Sequence, residues 1–207
     1  MQDFSMVKKA SDHFGKGLKM SSKTNPPRRY EEYAYVLDFI PHGKSFTVRE
    51  REGPLVQAIG EEWLTLLEIL AMNRATFVVG ERICIAREGR TKVVSVLGKL
   101  EYKDLTNEAK NELPAVCEKM VRENEKKYVA YFNELQPVTP RLHALELIPG
   151  IGKTFMRQIL NVREKKPFES FDDIQSRIGF RDPAKQIAKR LVDEISGSAR
   201  ITIFVRK

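Results

Sequence analysis

Cysteine is nearly missing from this chain: among 207 residues there are two, Cys84 and Cys117, far apart and each in an apolar setting. No CxxC pair exists, which excludes a disulfide framework and fits reduced, buried thiols in a cytoplasmic protein. Histidine is equally sparse. His13, His42 and His143 are scattered, so no metal-ligand spacing arises, and neither a zinc site nor another cofactor is expected. No apolar run approaches the roughly 18 residues of a membrane span, and the lysine-bearing N-terminus lacks the apolar stretch of a secretory signal. Nothing resembling a nucleophile lies near His42 or His143, and the acidic residues are spread along helical patterns as solvated faces, so no enzyme is expected. The Asp172-Asp173 pair, suggestive of a metal-dependent nuclease, is more simply a favourable charge at a helix start.

Basic charge is abundant and unevenly placed. The chain carries +8 overall, with a net +5 over residues 1–29, −3 over 30–140 and +6 over 141–207. Such a balance points to a polyanionic partner. The length suits two small domains.

Residues 1–29, ending in Pro26-Pro27-Arg28-Arg29, read as a flexible basic arm. Residues 30–103 read as a small OB-like β-barrel built from about five short strands. Tyr33, Tyr35, Leu37 and Phe39 alternate as one strand face until Ile40-Pro41-His42-Gly43-Lys44 breaks them; Phe46–Arg51 and Leu55–Gly60 follow as extended runs. The dense cluster from Trp63 to Leu70 fits a short helix or a strand, while Phe77–Ile85 and Lys92–Leu97 are rich in β-branched residues. Tyr33, Tyr35, Phe39, Phe46 and Trp63, with Arg49, Arg51, Arg82, Arg87, Arg90 and Lys92, form either a stacking platform or barrel core, and alternating aromatics are more often core.

Residues 104–137 read as a helical linker, with Thr106 capping a short helix and Pro114 in the first turn of the next. Residues 138–207 read as an all-α tandem helix-hairpin-helix domain with a terminal strand at Ile201–Val205, giving an α+β chain overall. Thr139 or Pro140 is expected to open the first hairpin helix.

The centre of this pattern is Leu147-Ile148-Pro149-Gly150-Ile151-Gly152-Lys153, a proline and two glycines between apolar helical patterns. Glycines without Cβ let amides at the start of the second helix reach a phosphate, and the helix dipole favours negative charge there. Candidate contacts are therefore Pro149, Gly150, Ile151, Gly152 and Lys153, with Arg157, Lys165 and Lys166 adding charge from the helix and its end. A P-loop is excluded, because Leu147 stands where GxxxxGK[ST] requires glycine. A second, degenerate hairpin through Gly179, Arg181 and Lys185 is either a second phosphate site or a packing partner, and packing is the simpler reading.

The run Val138 through Lys153, joined to Glu125–Asn133 and Phe168–Ile174, resembles an archaeal family, domain of unknown function 655, described as predicted RNA-binding proteins. The resemblance implies an OB-like barrel followed by tandem hairpins, and a nucleic-acid role near the ribosome. Leu145–Arg163 and Pro167–Ile174 are also similar to the hairpins of DNA repair and DNA uptake proteins, which carries Pro149 through Lys153 over as phosphate contacts. Met156 departs from those hairpins, which usually place a small residue there for close helix packing. The expected function is sequence-independent, salt-sensitive binding of nucleic acid, RNA before DNA, by a chain that also meets ribosomal or other nucleoprotein components and no membrane. The alternatives are a protein-interaction module whose affinity hardly responds to salt, and a subunit of a nucleic-acid-processing enzyme.

Overall fold

The computed structural model describes residues 30–205; the arm expected over 1–29, with Arg206 and Lys207, lies outside the described residues. Five strands form one antiparallel sheet: β1 (Tyr33–Lys44), β2 (Glu52–Gly60), β3 (Leu66–Ala71), β4 (Arg82–Cys84) and β5 (Val93–Lys99), in the order β4-β1-β2-β3-β5. Strands β4 and β5 are unpaired edges, so the sheet curls into a half-barrel and the closed barrel expected from strand count is not reached. Arg90 spans that gap, its guanidinium donating to the carbonyls of Ile85 and Ala86 on one side and Val94 on the other, at 2.9–3.0 Å.

The sheet is buried on both faces. Ala34, Val36, Val56, Ala58, Ile69 and Ile83 fill the concave side, while Tyr35, Leu37 and Ile59 face the helices. A bulge between Val36 and Asp38 shifts the phase of β1, so Phe39 packs with the concave cluster and not beside Tyr35 as strict alternation predicts. Pairing continues through the expected break, and β1 runs to Lys44. The ambiguous cluster around Leu66–Leu70 is strand β3, whose six residues are all buried, which is why it showed no period. Two expected strands differ: residues 46–51 form a loop, and in the segment 77–85 only Arg82–Cys84 pairs, after a turn at 78–81.

Thr106 caps α1 (Asn107–Glu123) by accepting from Ala109 N–H. Pro114 was expected to start a new helix, but it lies inside α1 on the exposed face, so the hydrogen bond it denies the Lys110 carbonyl is lost outside the core. Helix α2 (Glu125–Glu134) follows a break at Asn124. Helix α1 packs against β1 on one side and against α5 (Pro183–Ile195) on the other, so a single core cluster runs from Tyr35 through Met120 to Phe204.

A short hairpin, β6 (Pro137–Thr139) with β7 (Leu142–His143), occupies the place where Thr139 or Pro140 was expected to open a helix. The approach to the glycine turn is a single 3-10 turn, Ala144–Leu147, capped by His143. Helices α3 (Lys153–Lys165) and α4 (Phe171–Ile178) follow, and Ser170 caps α4 by accepting from the Asp173 amide. The terminal strand does not form. Residues 201–205 are irregular, held because the buried Glu194 carboxylate accepts from the amides of Ile203, Phe204 and Val205 while Phe204 packs edge-on to Tyr131. No helix among the described residues is long and apolar enough to cross a membrane.

Candidate nucleic-acid interface

The turn Pro149–Gly152 is built from both ends. Ile148 and Ile151 are buried at 1% and 4%, anchoring it in the helical core, while Gly150 and Gly152 are exposed. Gly150 has φ +84°, and a Cβ there would lie 3.3 Å from Phe180 Cε2, so backbone conformation and space both select glycine. Gly152 is extended at φ −91°, with nothing within 4 Å of a built Cβ; it is the N-cap of α3, and no side chain accepts from the first amides of that helix.

That open N-terminus distinguishes α3 from three other helices. Thr106, Ser170 and Asp182 each place an oxygen on the first turn of α1, α4 and α5. The first turn of α3 also contains no acidic residue. Lys153 and Arg157 are exposed and have no ion pair among the described residues.

Phe180 brings the second turn against the first. Its ring fills the space a Cβ on Gly150 would meet and stacks edge-on with Phe155 of α3, ring centroids 5.6 Å apart. Arg181 follows Phe180 in the chain and Lys185 lies in the first turn of α5, both exposed and without an ion pair among the described residues. Gly179 closes α4 in the left-handed region at φ +73°. The α5 terminus is not open as α3 is: Asp182 accepts from the Lys185 amide at 3.3 Å and from Arg122 at 2.8 Å, which puts a carboxylate where a phosphate would sit. The turn before α5 thus packs against the glycine turn through Phe180, and the Lys185 amide at its helix start is engaged.

Lys165 and Lys166 are separated from the turn by the length of α3, about 18 Å from Lys153 at 1.5 Å per residue, and Lys166 pairs with Glu169 at 2.9 Å. Arg163 is also spent elsewhere: it donates to the carbonyls of Phe132 and Leu135 at the end of α2, and burial pulls its guanidinium below the usual range. Met156 is half-buried against the core and lies on the inward side of α3.

The aromatic and basic residues of the sheet do not gather into one platform. Tyr35 is fully buried, its hydroxyl pushed above the usual range by burial and by hydrogen bonding to Glu123. Phe39 stacks with Phe77 inside the half-barrel, Arg82 pairs with Glu61 at 2.7 Å over the Tyr33 ring, and Lys92 pairs with Glu81. Phe46, Arg49 and Arg51 remain together on an exposed loop.

Three carboxylates were passed over in the sequence, and each organises backbone. Glu31 accepts from the amides of Glu62, Trp63 and Thr65; Glu68 accepts from Phe46 and Thr47; Glu194 holds the C-terminal segment. Burial pushes the Glu68 carboxyl up, but hydrogen bonds from Ser45, Thr47 and two amides outweigh it and hold the group below its usual range. The signal was present: a single glutamate inside Leu66-Leu67-Glu68-Ile69-Leu70 has to be buried, and a buried carboxylate has to be hydrogen-bonded. Cys117 is fully buried and its thiol is pushed up to about 12 by that burial, whereas Cys84, expected to be buried as well, is partly exposed.

Residues 30–206 match the family model described as a protein of unknown function, DUF655. An uncharacterised protein of Methanocaldococcus jannaschii, MJ0038, is 41% identical over 174 residues, covering 84% of this chain and 78% of that protein. The crystal structure of Af1531 from Archaeoglobus fulgidus, assigned to the same family, superposes with a TM-score of 0.74 at 42% identity, covering 85% of this chain and 100% of that one. The chain therefore belongs to the DUF655 family, described as proteins of unknown function.

Proposed function

We propose that this protein binds the phosphate backbone of nucleic acid at the Pro149–Lys153 turn, which we read as a helix-hairpin-helix with a shortened first helix beside an OB-like half-barrel. The observation that carries this reading is the α3 N-terminus: a helix start with no side-chain cap and no first-turn acid, reached through exposed Gly150 and Gly152. Unsatisfied amides and the helix dipole both favour an anion at such a site. Lys153 and Arg157 from α3, with Arg181 and Lys185 from the neighbouring turn, supply four exposed cations around it. Contacts of this kind read phosphate and not base, so binding is independent of sequence, and the family resemblance carries the choice of RNA over DNA.

Titration of a labelled RNA in low salt tests the reading. Lys153→Glu with Arg157→Glu should weaken binding at least about tenfold, with unchanged circular dichroism. Unaltered affinity in that folded variant would sink it. Affinity that is insensitive to salt would instead favour a protein-interaction module.

A further inference from the structure

The loop between β1 and β2 is held from beneath by a buried acid. Glu68, 1% exposed, accepts from Ser45 Oγ at 2.6 Å and from the amides of Phe46 at 2.9 Å and Thr47 at 3.0 Å; Ser45 Oγ in turn accepts from the Thr47 and Val48 amides at 3.2 and 2.9 Å. The Thr47 hydroxyl makes a further bond to the same carboxylate. Thr47 packs on Gly98 of β5, where an added Cβ would come within 2.8 Å of the Thr47 side chain. So much backbone satisfaction at a loop tip fixes its conformation. Yet its largest apolar group is turned outward: Phe46 is 64% exposed and makes no ring contact among the described residues.

A preorganised aromatic held in water, with its neighbours locked, is arranged to present a ring face. Lys44, Arg49 and Arg51 surround it, set against Glu50 and Glu52. The Lys44–Glu52 and Arg49–Glu50 pairs are almost fully exposed, 65–95% by side chain, and such pairs contribute little in water and yield readily to a phosphate. Arg51 has no ion pair among the described residues. One ring framed by three long cations suits a flat, negatively tethered ligand better than an extended apolar protein surface does. Every nucleobase has a π-face, so stacking of this kind asks for an unpaired base and not for a particular one.

We propose that Phe46 is a stacking site for an unpaired base of single-stranded nucleic acid, with Arg51, Arg49 and Lys44 holding the flanking phosphates. This rests on the nucleic-acid reading of the α3 turn and adds single-strand preference to it. The Phe46 loop is bonded to Glu68, whose strand neighbour Gln57 bonds Asp104 and Thr106 at the start of α1, whereas Arg122 near the end of α1 meets Asp182, two residues from the Phe180 that lies by Gly150. The 17 residues of α1 separate them by about 25 Å, so a strand of several nucleotides is needed to reach both.

The test uses the full chain in low salt and an unstructured RNA of about 16 nucleotides carrying 2-aminopurine, alongside the same RNA annealed to its complement. Phe46→Ala should weaken single-strand binding about tenfold and abolish the quenching of 2-aminopurine, leave duplex binding unchanged, and keep the melting temperature, since the ring is exposed. Phe46→Trp should restore affinity and quenching. Should Phe46→Ala bind and quench like the parent while Lys153→Glu loses binding, the stacking site is overturned and the turn reading stands. Should the parent chain bind neither strand form, both readings fall. Equal loss of single-strand and duplex binding in Phe46→Ala would also overturn base stacking.

Discussion

The glutamates Glu31, Glu68 and Glu194 show how this molecule spends negative charge. Each turns a carboxylate onto successive amides of a segment that belongs to no helix or strand, supplying hydrogen bonds that secondary structure does not. The net −3 of residues 30–140 is therefore a poor guide to their surface, because Glu31 and Glu68 face inward and Glu61 and Glu81 are paired with Arg82 and Lys92. The Glu68 carboxyl titrates below the ordinary 4.5 in the folded chain, so the unfolded chain binds more protons as pH falls. Its contribution to stability is complete above that ordinary value and is lost as pH drops through the lower folded value. Urea midpoints measured from pH 7 down to pH 3 should fall for the parent; Glu68→Gln should be less stable at pH 7 by about 1–3 kcal/mol and show a shallower acid limb. A parallel acid limb would contradict this role. Gly150→Ala carries a different cost, at φ +84° with Phe180 3.3 Å away: about 1–3 kcal/mol in thermal or urea unfolding. Gly152→Ala, with open space around it, should leave stability within about 0.5 kcal/mol.

At the level of elements, the helices divide by how their amides are satisfied. Thr106→Ala should cost about 1–2 kcal/mol, because it removes both the cap on Ala109 and the bond to Asp38 that fastens α1 to β1, and a urea titration measures it. A capped start was legible in the sequence: Thr106 stands where local chemistry placed it, at the N-cap of α1. The glycine turn was legible for the same reason, since proline and glycine act on the chain locally. Elements shaped by distant contacts were not. The bulge that moves Phe39 to the other face, the loop pinned by Glu68 at residues 46–51, and the terminal segment held by Glu194 all depend on partners 9 or more residues away. Pro114 misled because its effect depends on which face of α1 it occupies, and that face is set by packing. Likewise Lys165 ends the helix that Lys153 opens and Lys166 follows it, but their distance from the turn follows only once α3 is known to be continuous.

On the scale of the whole molecule, α1 joins what composition alone divides. Its buried side, with Leu113, Val116, Cys117 and Met120, packs against β1 and α5, and Glu123 and Asn124 at its end bond to Tyr35 and Glu61 of the sheet region. One core predicts one transition: Trp63 fluorescence and helical circular dichroism should report coincident urea midpoints, and two separated midpoints would show independent domains. On the proposed reading a duplex, which the Phe46 loop does not engage, meets only the four cations assigned to the turn. With Lys153, Arg157, Arg181 and Lys185 each neutralising a phosphate, the logarithm of duplex affinity should fall with the logarithm of salt at a slope of about −3 to −4. The most direct test of the central claim is Gly152→Asp, assayed for RNA affinity in low salt together with its melting temperature. Gly152 is the exposed, extended N-cap of α3, so aspartate there should cap the helix, hold or raise stability by a few tenths of a kcal/mol, and place a carboxylate where the proposed phosphate would sit. The account predicts a chain at least as stable as the parent whose RNA affinity has fallen about tenfold or more; an equally stable chain that binds RNA as the parent does would contradict it.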